Sequence, residues 1–308
     1  MSKGNKTLQR AKRVKNDEFY TRLTDIEREC FQYKKHFKGK TIFLNCDDPE
    51  SSEFWRYFNL NFDFFDLHRV IATHFDREKS TYKLETTRDS LGRKRTNKSL
   101  LQQNGDFRSQ ECIELLTESD IVVTNPPFSL FREYMAQLMH YKKKFIVVGT
   151  QNAITYKDLF SLIMANKVWL GCTKPPEFLQ PDGTMAKFGN ACWFTNLQHR
   201  RRNEKLRLYR KYDPEEYPRY VNYDAIEVSK VKDIPEDFEG NMGVPITFLE
   251  KYNPEQFEIV GSSRESGLPM SQFAEKGTYT QGGPRFYIST GGRGYRRLYD
   301  RVVIRHRR

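Results

Sequence analysis

The chain has little with which to hold a metal or a disulfide framework. Its five cysteines, Cys30, Cys46, Cys112, Cys172 and Cys192, are odd in number, lie far apart and form no CxxC pair. The six histidines are scattered without an HxxxH spacing. A disulfide scaffold and a cysteine-rich zinc site are not expected, and this cysteine usage fits a reducing cytoplasm. No run approaches the ~18 apolar residues of a membrane span. No apolar stretch follows the polar, basic residues 1–15, so a secretory leader is not expected either. Internal repeats are absent. A shortage of aromatics would suggest disorder, but here 23 Phe, 17 Tyr and 3 Trp stand among 308 residues. That length allows one large domain or two, with a core that needs no staples.

The net charge of +12 is unevenly placed. Residues 1–15 hold six basic side chains and no acidic one, 198–211 hold seven and one, and 285–308 hold eight and one. These three pieces therefore carry +19, and the rest of the chain carries −7. A mildly acidic body with segregated basic patches is the footprint of a protein that meets a polyanion. Phe286, Tyr287, Tyr295 and Tyr299 interleave with the C-terminal arginines. That mixture suits phosphate contact with base stacking, and equally an ordinary half-exposed strand.

Hydrophobic patterning predicts alternating helices and strands in the first half. Helices are expected over 23–37, 52–58, 109–116, 130–140 and 156–165. Short apolar strands are expected at 41–46 (TIFLNC), 69–75 (RVIATHF), 120–124 (DIVVT) and 145–149 (FIVVG). This alternation predicts an α/β layered fold around a parallel sheet. Residues 76–104 are polar without a clear period and read as an exposed insertion or loop. From Val168 the pattern changes to short apolar pieces between Pro- and Gly-rich turns, which reads as antiparallel sheet and then a smaller strand-rich region. The stretch 278–294 has five glycines and reads as a flexible loop. A boundary near residue 199 gives domains 1–198 and 199–308.

The sharpest chemical feature is Thr124-Asn125-Pro126-Pro127-Phe128, directly after a buried strand. Open α/β sheets leave their ligand crevice at that end of the strands. The two prolines fix the loop and remove backbone donors. What remains is a pair of acceptors, the Asn125 amide oxygen and the Pro126 carbonyl, followed by the ring of Phe128. This set suits a planar exocyclic amine, held by its two N–H groups and stacked on an aromatic face. Hydrogen-bonding the amine in this way frees its lone pair to attack a methyl sulfonium, with the gain coming from orientation and electrostatics. A rigid Pro-Pro turn capping a strand is the plainer alternative. The first strand ends in Asn45-Cys46-Asp47-Asp48-Pro49, where a cofactor would sit. A glycine-rich loop is missing there, and an acidic turn with a helix N-cap is the other reading. Asp106, in Gly105-Asp106-Phe107-Arg108, could accept from an adenine amine beside the Phe107 ring, or cap the helix that follows.

Long stretches of the chain resemble the EcoRI-type adenine-specific DNA methyltransferases. They are NDEFYT (16–21), FLNCDDP (43–49), GDFRSQECIELL (105–116), DIVVTNPPFSLFREYMAQL (120–138), AITYKDLF (153–160), YPRYVNYDAIEVSKVKDIP (217–235) and GVPITFLEKYNPEQFEIV (243–260). The similarity is weak over 77–100, 172–190 and 262–298. The resemblance implies a Rossmann-like methyltransferase core with a smaller, strand-rich target-recognition region. It implies S-adenosyl-L-methionine as methyl donor and the N6 amine of a flipped adenine in duplex DNA as acceptor. It carries Asn125, Pro126, Pro127 and Phe128 over as the catalytic motif. It carries Asn16, Tyr20, Thr21, Asn45, Cys46, Asp47, Asp106 and Phe107 over as the cofactor pocket. Asp76 is the nearest candidate for a ribose-binding acid after the second strand.

DNA contact is expected from Arg200, Arg201, Arg202, Arg296 and Arg297, and no metal is expected. The enzyme is expected to be a cytoplasmic monomer, any cognate endonuclease being a separate protein. Cytosine C5 methylation needs a cysteine nucleophile, usually after proline, and the sequence has no Pro-Cys dipeptide. RNA or protein glutamine could use the same Asn-Pro-Pro-aromatic loop, and GGRGYRRLY (291–299) keeps RNA open. No Asp/Glu-x-Lys cluster marks a nuclease in the same chain.

Overall fold

The computed structural model describes residues 20–46, 48–76, 81–179, 184–187, 189–292 and 294–307. Asn16, Asp47 and the basic segment 1–15 lie outside them. Contacts divide the molecule into two compact units. The first runs to Leu159 and resumes over Val168–His199. The second comprises Phe160–Lys167 and the chain from Arg200 onward. The short piece 160–167 thus groups with the C-terminal region, a discontinuity that one boundary near residue 199 does not contain.

The first unit is built from β1 (Tyr20–Thr21), β2 (Thr41–Leu44), β3 (Arg69–Thr73), β4 (Tyr82–Arg88), β5 (Lys94–Leu100), β6 (Ile121–Thr124), β7 (Lys144–Thr150), β8 (Trp169–Leu170), β9 (Glu177–Leu179), β10 (Met185–Lys187) and β11 (Ala191–Thr195). Eight of these form one mixed sheet in the order β5-β4-β3-β2-β6-β7-β11-β8. The inner strands β3, β2, β6 and β7 are parallel. Every residue of β2 and β6 is buried, as strands covered on both faces must be. Toward the far edge β11 pairs antiparallel with β7 and β8. This is a mixed α/β architecture around a large mixed sheet.

Helices Glu53–Leu60, Gln110–Glu118 and Phe131–His140 connect the parallel strands. Each of the first two starts at a serine cap: Ser52 Oγ accepts from Phe54 N at 3.2 Å and Ser109 Oγ from Cys112 N at 3.3 Å. The core between sheet and helices is strongly aromatic, with Phe37, Phe54, Phe58, Phe62 and Trp193 all buried.

Three sequence expectations are corrected here. Residues 76–104 are not a structureless insertion. They hold the antiparallel hairpin β4–β5, which pairs with β3 and extends the central sheet. Its polarity comes from solvent exposure on the outer strand, where Arg95 to Leu100 are exposed, so no apolar face marks the alternation. Likewise, 278–294 contains β15 (Tyr287–Ser289), whose residues Tyr287 and Ile288 are buried. The helix expected over 23–37 is interrupted by a 3-10 turn at Phe31–Tyr33.

In the second unit, β12 (Ile226–Glu227), β13 (Met242–Pro245), β14 (Phe257–Ser262) and β17 (Arg301–His306) form a sheet in the order β12-β13-β17-β14. A two-stranded ribbon pairs β15 with β16 (Tyr295–Arg297). Inside this unit the Arg301 guanidinium grips the buried Glu227 carboxylate, with NH2 at 2.7 Å from Oε1 and Nε at 3.0 Å from Oε2. The Tyr220 hydroxyl donates to the same carboxylate. Asn222 uses its whole amide: Nδ2 donates to the Leu268 and Arg285 carbonyls and Oδ1 accepts from Tyr287 N. Phe286 and Tyr287 therefore belong to the core and offer no face to a base.

Candidate active site

The order of the parallel strands fixes where a ligand can sit. From β2 the chain crosses to β3 on one side, then returns to place β6 on the other side of β2. The carboxyl ends of β2 and β6 therefore flank a topological switch point, where an open α/β sheet leaves a crevice between diverging connections. Asn45 follows β2 and Asn125 follows β6, and both are buried. In-register pairing of β2 and β6 sets these two amides at neighbouring strand tips.

After Asn125 the chain cannot continue as a strand, because Pro126 and Pro127 carry no N–H. Pro127 has φ −53° and ψ 125°, and its carbonyl accepts from Leu130 N at 2.9 Å to start a 3-10 turn over Phe128–Leu130. Phe128 is half-buried and meets Phe178 edge-on, with ring centroids 6.4 Å apart. Phe178 lies on β9, directly opposite Thr21 of β1. The Phe178 ring and the β1–β9 pairing thus bring Tyr20 and Thr21 into the neighbourhood of the Pro-Pro loop. Sequence alone gave those two residues no local meaning.

The helix Phe131–His140 that follows ties the remaining candidates together. The Tyr134 hydroxyl donates to Asn45 Oδ1. Its ring packs edge-on against Phe107 at 5.1 Å. Gln137, one turn on, donates from Nε2 to the Phe107 carbonyl at 3.0 Å. Cys46 Sγ lies 3.6 Å from Asn45 Oδ1. Asn45 is 3% exposed, and its Nδ2 has no hydrogen-bond partner among the described residues. A buried amide donor without a partner is costly unless a ligand satisfies it.

Asp106 does not cap the helix that follows it, since Ser109 does that work. Asp106 binds Arg108, with Nε at 2.8 Å from Oδ1 and NH2 at 2.7 Å from Oδ2. The Arg108 hydrogen bonds hold the Asp106 carboxyl below its usual range. A carboxylate has about four lone-pair sites, so Asp106 keeps acceptor capacity. Gly105 has φ +76°, and a Cβ there would lie 1.9 Å from the His74 carbonyl oxygen. This glycine lets the 104–107 loop lie flat on the end of β3. Asp76 N donates to the Asn104 carbonyl at 2.9 Å, which sets Asp76 beside the same loop.

Behind this cluster, Glu29 is fully buried. Its carboxylate accepts from Tyr33 Oη, Cys172 N, Thr173 N and Thr173 Oγ1 at 2.6–2.8 Å. Burial still pushes this carboxyl above its ordinary value. Glu29 staples the segment leading into β9, and so supports Phe178. Sequence analysis missed Tyr134, Gln137 and Glu29. Tyr134 falls on the apolar stripe of Phe131, Met135 and Leu138, so it read as core. The EYMAQ spacing, with two polar-tipped residues three apart on that stripe, was the available signal.

The expected DNA-contacting arginines separate in the structure. Arg200 and Arg296 are exposed. Arg201 is half-buried. Arg297 is half-buried and donates to the Gly283 carbonyl at 3.0 Å. Arg202 is only 6% exposed, donates to Asn166 Oδ1 at 3.0 Å and stacks over the Tyr252 ring. It is a core residue of the second unit, not a surface cation, and burial lowers its pKa. Of the interleaved aromatics, Tyr299 stands out at 89% exposed. Among the described residues no group of three His, Cys, Asp or Glu could hold a metal, and no helix is long and apolar enough to cross a membrane.

Comparison with known proteins gives these positions a context. The family model described as adenine-specific methyltransferase EcoRI matches residues 7–307. The chain is 45% identical to the type II methyltransferase M.EcoRI of Escherichia coli, over 83% of this chain and 89% of that protein. It is 39% identical to the type II methyltransferases M.MgeORF184P of Mycoplasma genitalium and M.MpnI of Mycoplasma pneumoniae, over 82% of this chain and 84% of each. No solved structure matches it. With a family match over nearly its whole length, the chain belongs to the EcoRI family of adenine-specific methyltransferases.

Proposed function

We propose that the chain transfers a methyl group from S-adenosyl-L-methionine to the N6 amine of an adenine flipped out of a specific sequence in duplex DNA, as a restriction–modification or orphan methylase. The observation that carries this reading is the position of Asn125–Phe128 at the carboxyl end of β6, beside the switch point. There Asn125 Oδ1 and the Pro126 carbonyl accept the two N–H groups of the amine, Pro127 holds the loop and Phe128 stacks on the base. Both acceptors favour positive charge developing on the nitrogen as the methyl group arrives. Flipping is required because the amine cannot be reached in the stacked duplex.

The first unit, read as a Rossmann-like core, holds the methyl donor with Tyr20, Thr21, Asn45, Cys46, Asp106 and Phe107. Asn16 and Asp47 join this set on the resemblance alone. The residues fit the group in two respects. Asn45 offers a buried, unpartnered donor, and Asp106 offers a charged acceptor next to the Phe107 ring. The second unit recognises the target, with Arg200, Arg201, Arg296 and Arg297 as DNA contacts. Arg202 drops out of that set because it is buried. The enzyme acts as a cytoplasmic monomer, and any cognate endonuclease is a separate chain.

The test is transfer of tritiated methyl from S-adenosylmethionine to duplex DNA, RNA and protein, followed by single-molecule sequencing of DNA from expressing cells. Label on duplex DNA with N6-methyladenine in one sequence context is expected. Label on RNA or protein alone would overturn the reading.

A further inference from the structure

We infer that Tyr134 is a positioning residue for the methyl donor, acting through the side chain of Asn45. The inference rests on the proposed cofactor site at the tip of β2. Asn45 lies where many nucleotide-binding α/β folds use glycine-rich backbone to approach an anionic ligand. This chain has Asn-Cys-Asp-Asp-Pro there. A side-chain amide can replace a backbone N–H as donor only if its orientation is fixed.

Tyr134 supplies that fixation. Its hydroxyl donates to Asn45 Oδ1, which commits the oxygen of the amide and leaves Nδ2 to a further acceptor. Tyr134 is itself fully buried, and its ring is set by the edge contact with Phe107. Gln137 holds the Phe107 backbone from the same helix. One helix face therefore touches both the β2 tip and the 106–107 loop, the two sides of the proposed cofactor site. That helix also begins just after the Asn125–Phe128 motif. The acceptor that Asn45 Nδ2 meets is an oxygen of the donor molecule, in its carboxylate or its ribose hydroxyls.

The experiment measures S-adenosylmethionine affinity by calorimetry on the full chain. The variants are Tyr134→Phe, Asn45→Ala, Asn45→Asp and the Tyr134→Phe/Asn45→Ala double. Thermal melting without ligand and DNA affinity are followed in parallel. Tyr134→Phe keeps the ring and is expected to weaken S-adenosylmethionine binding roughly 10-fold, with saturated kcat and DNA affinity little changed. In the double variant Tyr134→Phe is expected to add nothing, since its effect passes through the amide. Asn45→Asp keeps an acceptor for Tyr134 but loses the amide donor, so it should bind weakly even if burial of the carboxylate lowers its melting temperature. It also stands alone if Tyr134→Phe does not fold. Equal loss from Tyr134→Phe with and without Asn45 would overturn the positioning role. So would Asn45→Asp binding S-adenosylmethionine normally. Unchanged affinity in Asn45→Ala would instead remove the β2 tip from the cofactor site, a different failure that the proposed reading itself would bear.

Discussion

Arg202 donates a hydrogen bond to Asn166 Oδ1 at 3.0 Å from within the C-terminal unit, although it ends an arginine triplet in a strongly basic run. The two residues are 36 positions apart, so the contact holds the piece 160–167 to the chain after residue 200. A triplet that looks uniform in sequence therefore divides by role.

Neutralising Arg200 and Arg201 should flatten the dependence of log DNA affinity on log salt by up to about two, at roughly 0.9 for each phosphate left without its cation. Cognate and scrambled duplexes should weaken together, because phosphate contacts position without reading bases. Arg202→Ala should leave the slope alone and lower thermal stability instead. A salt titration alongside melting curves separates the outcomes, and a flattened slope from Arg202→Ala alone would contradict the burial argument.

Asn125→Ala should reduce methyl transfer on the order of 100-fold or more while the fold and S-adenosylmethionine binding persist. One of two acceptors for the amine is gone, and the prolines still hold the loop. Near-normal transfer in this variant would end the assignment of Asn125–Phe128 as the catalytic motif.

For Phe128 the aromatic face matters, not the identity of the ring. Phe128→Tyr or Phe128→Trp should stay active. Phe128→Ala should lose about 1–3 kcal/mol of grip on the flipped base. The readout is 2-aminopurine fluorescence at the target position, which should rise less with Phe128→Ala than with wild type. Equal brightening would remove the stacking role.

Asp106→Ala should weaken S-adenosylmethionine binding and leave DNA affinity nearly unchanged, as calorimetry can check. The Asp106 pKa is lowered by the Arg108 hydrogen bonds, so the charged form is the one favoured in the folded protein. Its stabilising contribution is fully present above the ordinary value of 3.8 and fades as pH falls through the lower, folded value. Cofactor affinity that depends on this carboxylate should hold from neutral pH to about pH 4. A drop in affinity centred near pH 6 would point to another group.

Glu227→Ala should destabilise the C-terminal unit by about 3–5 kcal/mol, because it leaves the Arg301 guanidinium buried without its carboxylate. Urea unfolding with an unchanged denaturant slope is the measurement. A loss under 1 kcal/mol would mean that Arg301 finds solvent once freed.

The parallel strands were legible because β2, β6 and β7 are short apolar runs, and burial on both faces writes itself directly into composition. The antiparallel pieces β8 and β11 were legible for the same reason. The Asn-Pro-Pro-Phe motif could be placed at a strand tip before any coordinates. The hairpin β4–β5 could not be read, since Lys94 to Ser99 offer no apolar alternation when both faces of the outer strand meet water. Arg202 was misread because residue type predicts exposure on average, while its partners Asn166 and Tyr252 lie far away in sequence. Phe286 and Tyr287 were ambiguous for a similar reason. Their burial depends on Asn222, Tyr220 and Tyr223, more than 60 residues earlier. Tyr134 shows the limit most sharply, because nothing local to a helix reveals that its hydroxyl reaches the tip of a strand 89 residues before it.

The β4–β5 hairpin has one more consequence. Among the described residues β5 pairs only with β4, so the eight-stranded sheet ends in a strand whose outward amides and carbonyls are open. Such a rim is a template on which another copy of the chain could add itself. Lys94, Arg95 and Lys98 lie along it, and Arg93 stands at its approach. Arg93 and Arg95 share Asp89 and Lys98 meets Glu50, so the cations outnumber their carboxylates, and two such rims brought together would set net positive charge against net positive charge. Charge along an edge strand disfavours its pairing with a second copy.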